Sequence, residues 1–176
     1  KSCGIGSSGK ELFDILNETM KDFYGNEVEL KKGVSEFLEY CYSKGIRMCI
    51  ASATDIKLIK IAVEHCKIGK YFTSIFSCAE IGKGKDQPDI YLKALEFLGT
   101  GIDGTYVFED SHIAINTANK LGMKTIWVKQ GFSVYQIPMN DFQQADYVVD
   151  RLQNILPLCF LFWEQKAYLL PHVSLR

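Results

Sequence analysis

Glu109 and Asp110 stand side by side at the end of the apolar run in "VFEDS", residues 107–111, and a helical pattern starts directly after them. Two adjacent carboxylates at a strand end are costly unless a cation or a ring of donors compensates them. Earlier in the chain, Ser52-Ala53-Thr54 closes the apolar run "IRMCIAS" where another helical pattern begins. Hydroxyls at that point, together with the free N–H groups of a helix start, make a seat for phosphate. Between these two places, "GKGKDQPDIY" (82–91) sets Lys83 and Lys85 in a glycine-containing loop, ahead of a helix that Pro88 can open. Each cluster also has a plainer role open to it. Ser52 or Thr54 can simply cap a helix, and a loop lysine can simply be solvated. Glu109-Asp110 with Ser111 can be an acidic helix start favoured by the dipole. Each signal is weak singly; their order and placement together are not.

The elements that must position them read from period and punctuation. Helical stripes run over 9–25 (Leu12, Ile15, Leu16, Met20, Phe23), 33–45 (Val34, Phe37, Leu38, Cys41, with Gly45 as the stop), 56–69, 89–99 and 112–122. Short apolar runs at 46–52, 74–78, 105–109, 124–128 and 146–150 predict strands. Strands alternating with helices of about 10–15 residues mean βαβ units and a mostly parallel sheet. Ligands of such sheets bind outside the carboxyl ends of the strands, and all three clusters fall at or near that edge.

A chain of 176 residues, 47% apolar and 23% charged, suits one soluble globular domain with a proper core. A net charge of −1 without a basic block argues against a nucleic-acid partner. The longest apolar stretch, "LPLCFLFW" (156–163), is too short to span a bilayer, and no signal-peptide pattern opens the sequence. Cys3, Cys41, Cys49, Cys66, Cys78 and Cys159 show no C-x-x-C spacing. Cys49 and Cys66 sit inside apolar patterns and read as reduced core thiols of a cytoplasmic protein, with no zinc site expected.

"CIASATD", "GKGKDQPDIYLKAL" and "VFEDSHIAINTANKLGMKTIWV" resemble the second, third and fourth motifs of the haloacid dehalogenase (HAD) superfamily. The likeness is nearest to the branch of beta-phosphoglucomutases and phosphoglycolate-phosphatase-like enzymes, and covers roughly residues 10–150. It implies a three-layer Rossmann-like α/β core with a helical cap, and Mg²⁺-dependent phosphoryl transfer through an aspartyl-phosphate. The substrate would be a small phosphorylated metabolite, taken by a phosphatase or a phosphomutase. By position, Ser52 would hold the transferring phosphoryl group with Thr54 as a weaker second, and Lys85 would neutralise charge. Asp110 and Glu109 would hold Mg²⁺, the hard cation that the acidic pair asks for.

One departure matters. The family's first motif, an apolar strand running into D-x-D-x-T, supplies nucleophile and acid/base, and nothing in residues 1–32 resembles it. That segment resembles the end of the cap, residues 33–155 the core, and 156–176 match nothing. "GIDGT" (101–105) imitates the missing motif but precedes a strand, and Asp150 lacks the companion Asp and Thr. Asp55 adds a charge beside the phosphate seat and is expected to point away. The chain by itself is then expected to be inactive, with a non-catalytic phosphate- or metal-binding or interaction role as the alternative. The central strand position is expected to be vacant, closed up, or repaired by a strand from elsewhere, including complementation by another chain.

Overall fold

The computed structural model describes residues 9–129, 145–150 and 167–170. The five short apolar runs become β1 Arg47–Ser52, β2 Ser74–Ser77, β3 Thr105–Glu109, β4 Lys124–Val128 and β5 Tyr147–Val149, and an unpredicted sixth strand, β6 Ala167–Leu170, joins them. They form one sheet in the order β2-β1-β6-β3-β4-β5, with every pairing parallel. The stripes become α1 Gly9–Asp22, α2 Val34–Ser43, α3 Ile56–His65, α5 Asp89–Leu98 and α6 His112–Lys120, and a single turn, α4 Cys78–Ile81, follows β2. Helix α2 stops as the sequence predicts. Gly45 takes φ +69°, a conformation strained for residues with a Cβ, and Ile46 N–H turns back to the Cys41 carbonyl at 3.0 Å.

Alternation along the strands builds a core on each face of the sheet. Met48 and Ile50 of β1 join Tyr106 and Phe108 of β3 under α2 and α3. Cys49, Ala51 and Val107 face the other way, under α5 and α6. Strands buried on both faces need near-continuous apolar sequence, which "MCIA" and "YVF" supply. The result is the expected three-layer Rossmann-like α/β fold.

Of the tail that sequence reading leaves without a place, Ala167–Leu170 forms β6 and fills the position between β1 and β3. It pairs Arg47↔Ala167 through Ile50↔Leu170 on one side and Thr105↔Ala167 through Val107↔Leu169 on the other. The strand in that position comes from this chain itself. The physical reason is the demand of two facing rows of buried N–H and C=O groups, each costing about 1–3 kcal/mol if left unpaired. Residues 1–8, 156–166 and 171–176 lie outside the described residues.

Helix α1 shows its predicted stripe yet buries none of its residues, and Phe13 on its flank is 63% exposed. It leans on α3 and on the π-helical turn Phe23–Glu27. Among the described residues, no helix is long and apolar enough to cross a membrane.

Candidate active site

Glu109 ends β3 with its carboxylate buried, and the Lys85 ammonium donates to its Oε1. Its Oε2 accepts the backbone N–H groups of Asp110 (3.3 Å) and Ser111 (3.5 Å), the residues that lead into α6. Burial pushes the Glu109 carboxyl above the ordinary carboxylate range, the Lys85 charge and hydrogen bond pull it part of the way back, and the Asp110 charge adds to the upward push. The cation facing Glu109 in this structure is therefore Lys85. Asp110 lies half-buried beside it. The two lysines of the glycine loop part company, since Lys83 turns outward and pairs with Asp89 at 2.8 Å.

Ser52 ends β1, buried, and its Oγ accepts the Thr54 N–H at 3.1 Å. Among the described residues, no acceptor takes the hydroxyl hydrogen of Ser52. The Thr54 carbonyl accepts from Ser77 Oγ at 2.8 Å, and that hydroxyl also accepts the Ala79 N–H at 3.2 Å. Ser77 thus fixes the loop that Ser52 and Thr54 occupy, a role that the sequence reading missed. Its only signal was a hydroxyl at the end of "SIFS". Neither Ser52 nor Thr54 caps α3. The N-cap is Asp55, whose Oδ1 accepts the Lys57 N–H at 2.8 Å, so its charge serves the helix start.

Ser52 and Glu109 stand at the same carboxyl edge, on strands separated by β6, hence about two strand spacings or roughly 10 Å apart. Tyr91, fully buried, donates from its hydroxyl to the Ala114 carbonyl at 3.2 Å. That bond ties α5, which follows the Lys85 loop, to α6, which follows the acidic pair. Both residues lie within the recognised motifs, but their link was not legible there. The rejected acids stay elsewhere. Asp103 sits in the turn Ile102–Gly104 that feeds β3 from the opposite edge, and Asp150 pairs with Lys129 at 3.0 Å.

Among the described residues, no group of three or more His, Cys, Asp or Glu side chains is placed to hold a metal. Glu109 and Asp110 are nevertheless hard oxygen donors at a strand end, and Mg²⁺ takes few protein carboxylates, completing its shell with water and substrate phosphate. The donor set fits such an ion in part.

Residues 6–128 match the family described as haloacid dehalogenase-like hydrolase. Over 150 residues the chain is 29% identical to a CBBY-like protein of Arabidopsis thaliana, covering 84% of this chain and 44% of that one. It is 29% identical over 112 residues to a phosphorylated carbohydrates phosphatase of Thermotoga maritima, covering 64% and 52%. The chain spans about half the length of these curated relatives. The fold superposes on the crystal structure of beta-phosphoglucomutase from Clostridium difficile with a TM-score of 0.69, at 19% identity, covering 88% and 64%. Because the family match takes in the strand ends that bear Ser52 and Glu109 and the loop between them that bears Lys85, the chain belongs to the haloacid dehalogenase-like hydrolase family.

Proposed function

We propose that this chain carries the phosphate-holding, charge-neutralising and metal-holding part of a phosphoryl-transfer site, of phosphatase or phosphomutase type, for a small phosphorylated metabolite. The observation that supports it most is the buried Lys85–Glu109 pair at the sheet edge where Ser52 also ends a strand. Ser52 donates its hydroxyl to a phosphoryl oxygen, with Thr54 as the weaker second contact. Lys85, held in place by Glu109, neutralises charge that builds on the phosphoryl oxygens, the main contribution a protein makes to this reaction class. Asp110 and Glu109 would hold Mg²⁺, which when bound supplies further neutralisation of phosphate charge. The likeness to a phosphorylated carbohydrates phosphatase supports the substrate class. Free thiols at Cys41, Cys49, Cys66 and Cys78 support a reducing, cytoplasmic setting.

The 176 residues contain no D-x-D, so an aspartyl-phosphate step draws its carboxylate from outside them. A second reading has its own support. The central slot holds β6, and residues 165–176 include neither Asp nor Glu. For the chain as it stands, this favours phosphate or metal binding without turnover, or an interaction role.

The test is a fusion that places an apolar strand and D-x-D-x-T ahead of Lys1, assayed for phosphate-ester hydrolysis with Mg²⁺. Turnover should vanish in chelator and return with Mg²⁺. Lys85→Ala should lower it by at least about a hundredfold, the scale of losing one electrostatic stabiliser, while Lys83→Ala does little. Full activity in chelator, or equal effects of the two lysines, would sink this reading. Mg²⁺-dependent binding of inorganic phosphate with no turnover in the fusion would establish the second.

A further inference from the structure

We propose that Ser77 is a positioning residue whose hydroxyl sets the phosphate-holding turn at Ser52 against the loop that carries Lys85. That role rests on the phosphoryl-transfer reading above; the hydrogen bonds that produce it do not.

Strand β2 lies at the sheet edge beside β1, and the register lays Ser77 directly opposite Ser52. Both serines are fully buried, and they use their hydroxyls differently. Ser52 Oγ accepts the Thr54 N–H at 3.1 Å, and among the described residues nothing takes its hydrogen. Ser77 gives its hydrogen to the Thr54 carbonyl at 2.8 Å and accepts the Ala79 N–H at 3.2 Å. A hydroxyl has one hydrogen, so Ser77 has none left for a phosphoryl oxygen. Ser52 is the one that can touch the phosphoryl group, and Ser77 acts through it.

Thr54 carries the link. Its N–H bonds Ser52 Oγ while its carbonyl is held by Ser77, so the peptide groups on both sides of Thr54 are pinned. The Thr54 N–H fixes the direction in which Ser52 presents its remaining hydrogen. Where that N–H lies depends on the carbonyl of the same residue, and hence on Ser77. Asp55 anchors the next step of the chain only toward the helix, through the Lys57 N–H at 2.8 Å.

The second bond of Ser77 starts the path to Lys85. Accepting the Ala79 N–H turns the chain out of β2 into α4. Gly82 ends that turn at φ +75°, its N–H on the Cys78 carbonyl at 2.9 Å, and opens the loop that holds Lys85. The Gln87 N–H closes the loop on the Gly84 carbonyl at 3.1 Å. Burial pushes the Cys78 thiol up and the Lys85 ammonium pulls it back, so the residue after Ser77 lies within electrostatic reach of Lys85. One hydroxyl therefore registers both the donor on β1 and the ammonium that Glu109 of β3 receives. A phosphoryl group held at two points is sensitive to that spacing, since a misplacement of about 1 Å is enough to weaken such contacts.

The test uses the full chain, with inorganic phosphate and Mg²⁺ as the probe. Ser77→Ala should speed amide exchange at Thr54 by at least about fivefold, the scale of one hydrogen bond, while the β4 amides 124–128 keep their native rates. Calorimetric titration should show Ser77→Ala binding phosphate about fivefold to tenfold more weakly. Ser77→Thr, which keeps the hydroxyl, should restore both readouts. Should Ser77→Ala fail to fold, Ser77→Cys, close in volume and only a weak donor, gives the same comparison. Equal acceleration at Thr54 and at 124–128 would mean that Ser77 supports stability alone, and would overturn the positioning role. So would native phosphate affinity in Ser77→Ala. Selective opening at Thr54, with phosphate bound by neither the native chain nor the variant, keeps the link between turn and loop and overturns the phosphoryl-transfer reading instead.

Discussion

Lys85 and Glu109, 24 residues apart in sequence, form an ion pair in which the acid side chain is 2% exposed and the base 13%. The asymmetry sets the first prediction. Lys85→Met leaves a carboxylate uncompensated in the core and should cost about 3–5 kcal/mol. Glu109→Gln leaves an ammonium near enough to the surface to find water, and should cost nearer 1–2 kcal/mol, the scale of one charged hydrogen bond. The double variant should recover part of the Lys85→Met loss. Urea denaturation of the three proteins checks this. Equal losses from the two single changes would mean that Glu109 is better solvated than its position implies.

Tyr91 is the pin between the helices behind the two halves of the site. Tyr91→Phe keeps the packed ring and removes only the bond to Ala114, so it should cost about 0.5–1.5 kcal/mol. Tyr91→Ala also opens a cavity and should cost about 3–5 kcal/mol. Both are read from thermal or urea unfolding. A silent Tyr91→Phe would show that the hydroxyl is equally well placed without its partner.

Most of this architecture is legible in the sequence because it is local. The five strand runs and the stripes of α2, α3, α5 and α6 each carry their own period, and Gly45 marks the end of α2. What failed to show was set by distant partners. "AYLL" is too short for periodicity to classify, and it becomes β6 only because two ladder edges lie open on either side. The acidic pair asked for a cation, and sequence spacing alone could not bring Lys85 to it across 24 residues. The plainer role open to Ser52 or Thr54, capping α3, falls to neither, because three candidate oxygens stand close together before the helix. Backbone geometry selects Asp55.

Cys49 lies in the middle of β1, fully buried, and burial pushes its thiol up to about 12. The thiolate is the reactive form, so native Cys49 should stay unmodified by iodoacetamide at pH 8. Cys66, only partly buried, should react sooner under the same conditions. Mass spectrometry of labelled peptides checks both, with urea-unfolded protein as the reference in which the two become equal. Rapid labelling of Cys49 in the native protein would mean that β1 opens locally, as loss of its central neighbour would allow.

Asp146 fastens the start of β5 to the start of β4. Its Oδ2 accepts the Thr125 N–H at 2.8 Å and the Thr125 hydroxyl at 3.2 Å, while Oδ1 receives Lys124 at 3.2 Å. Partial burial pushes its carboxyl up, but the Thr125 N–H, the Lys124 ammonium and the Thr125 hydroxyl together outweigh it, and the folded-state pKa is lowered. A lowered carboxyl stabilises the fold above its unfolded value, about 3.9, and that stabilisation fades as pH falls through the folded value. Asp146→Asn should therefore destabilise the protein at neutral pH. The loss should stay under about 1 kcal/mol, because the side chain is 30% exposed and solvent screens it. The gap between the two proteins should be flat from neutral pH down to about 5, then close progressively through the acid range below the unfolded value. Urea unfolding at a series of pH values measures it. A gap that widens on acidification would reverse the sign and show that Asp146 is protonated more readily in the folded chain than in the unfolded one.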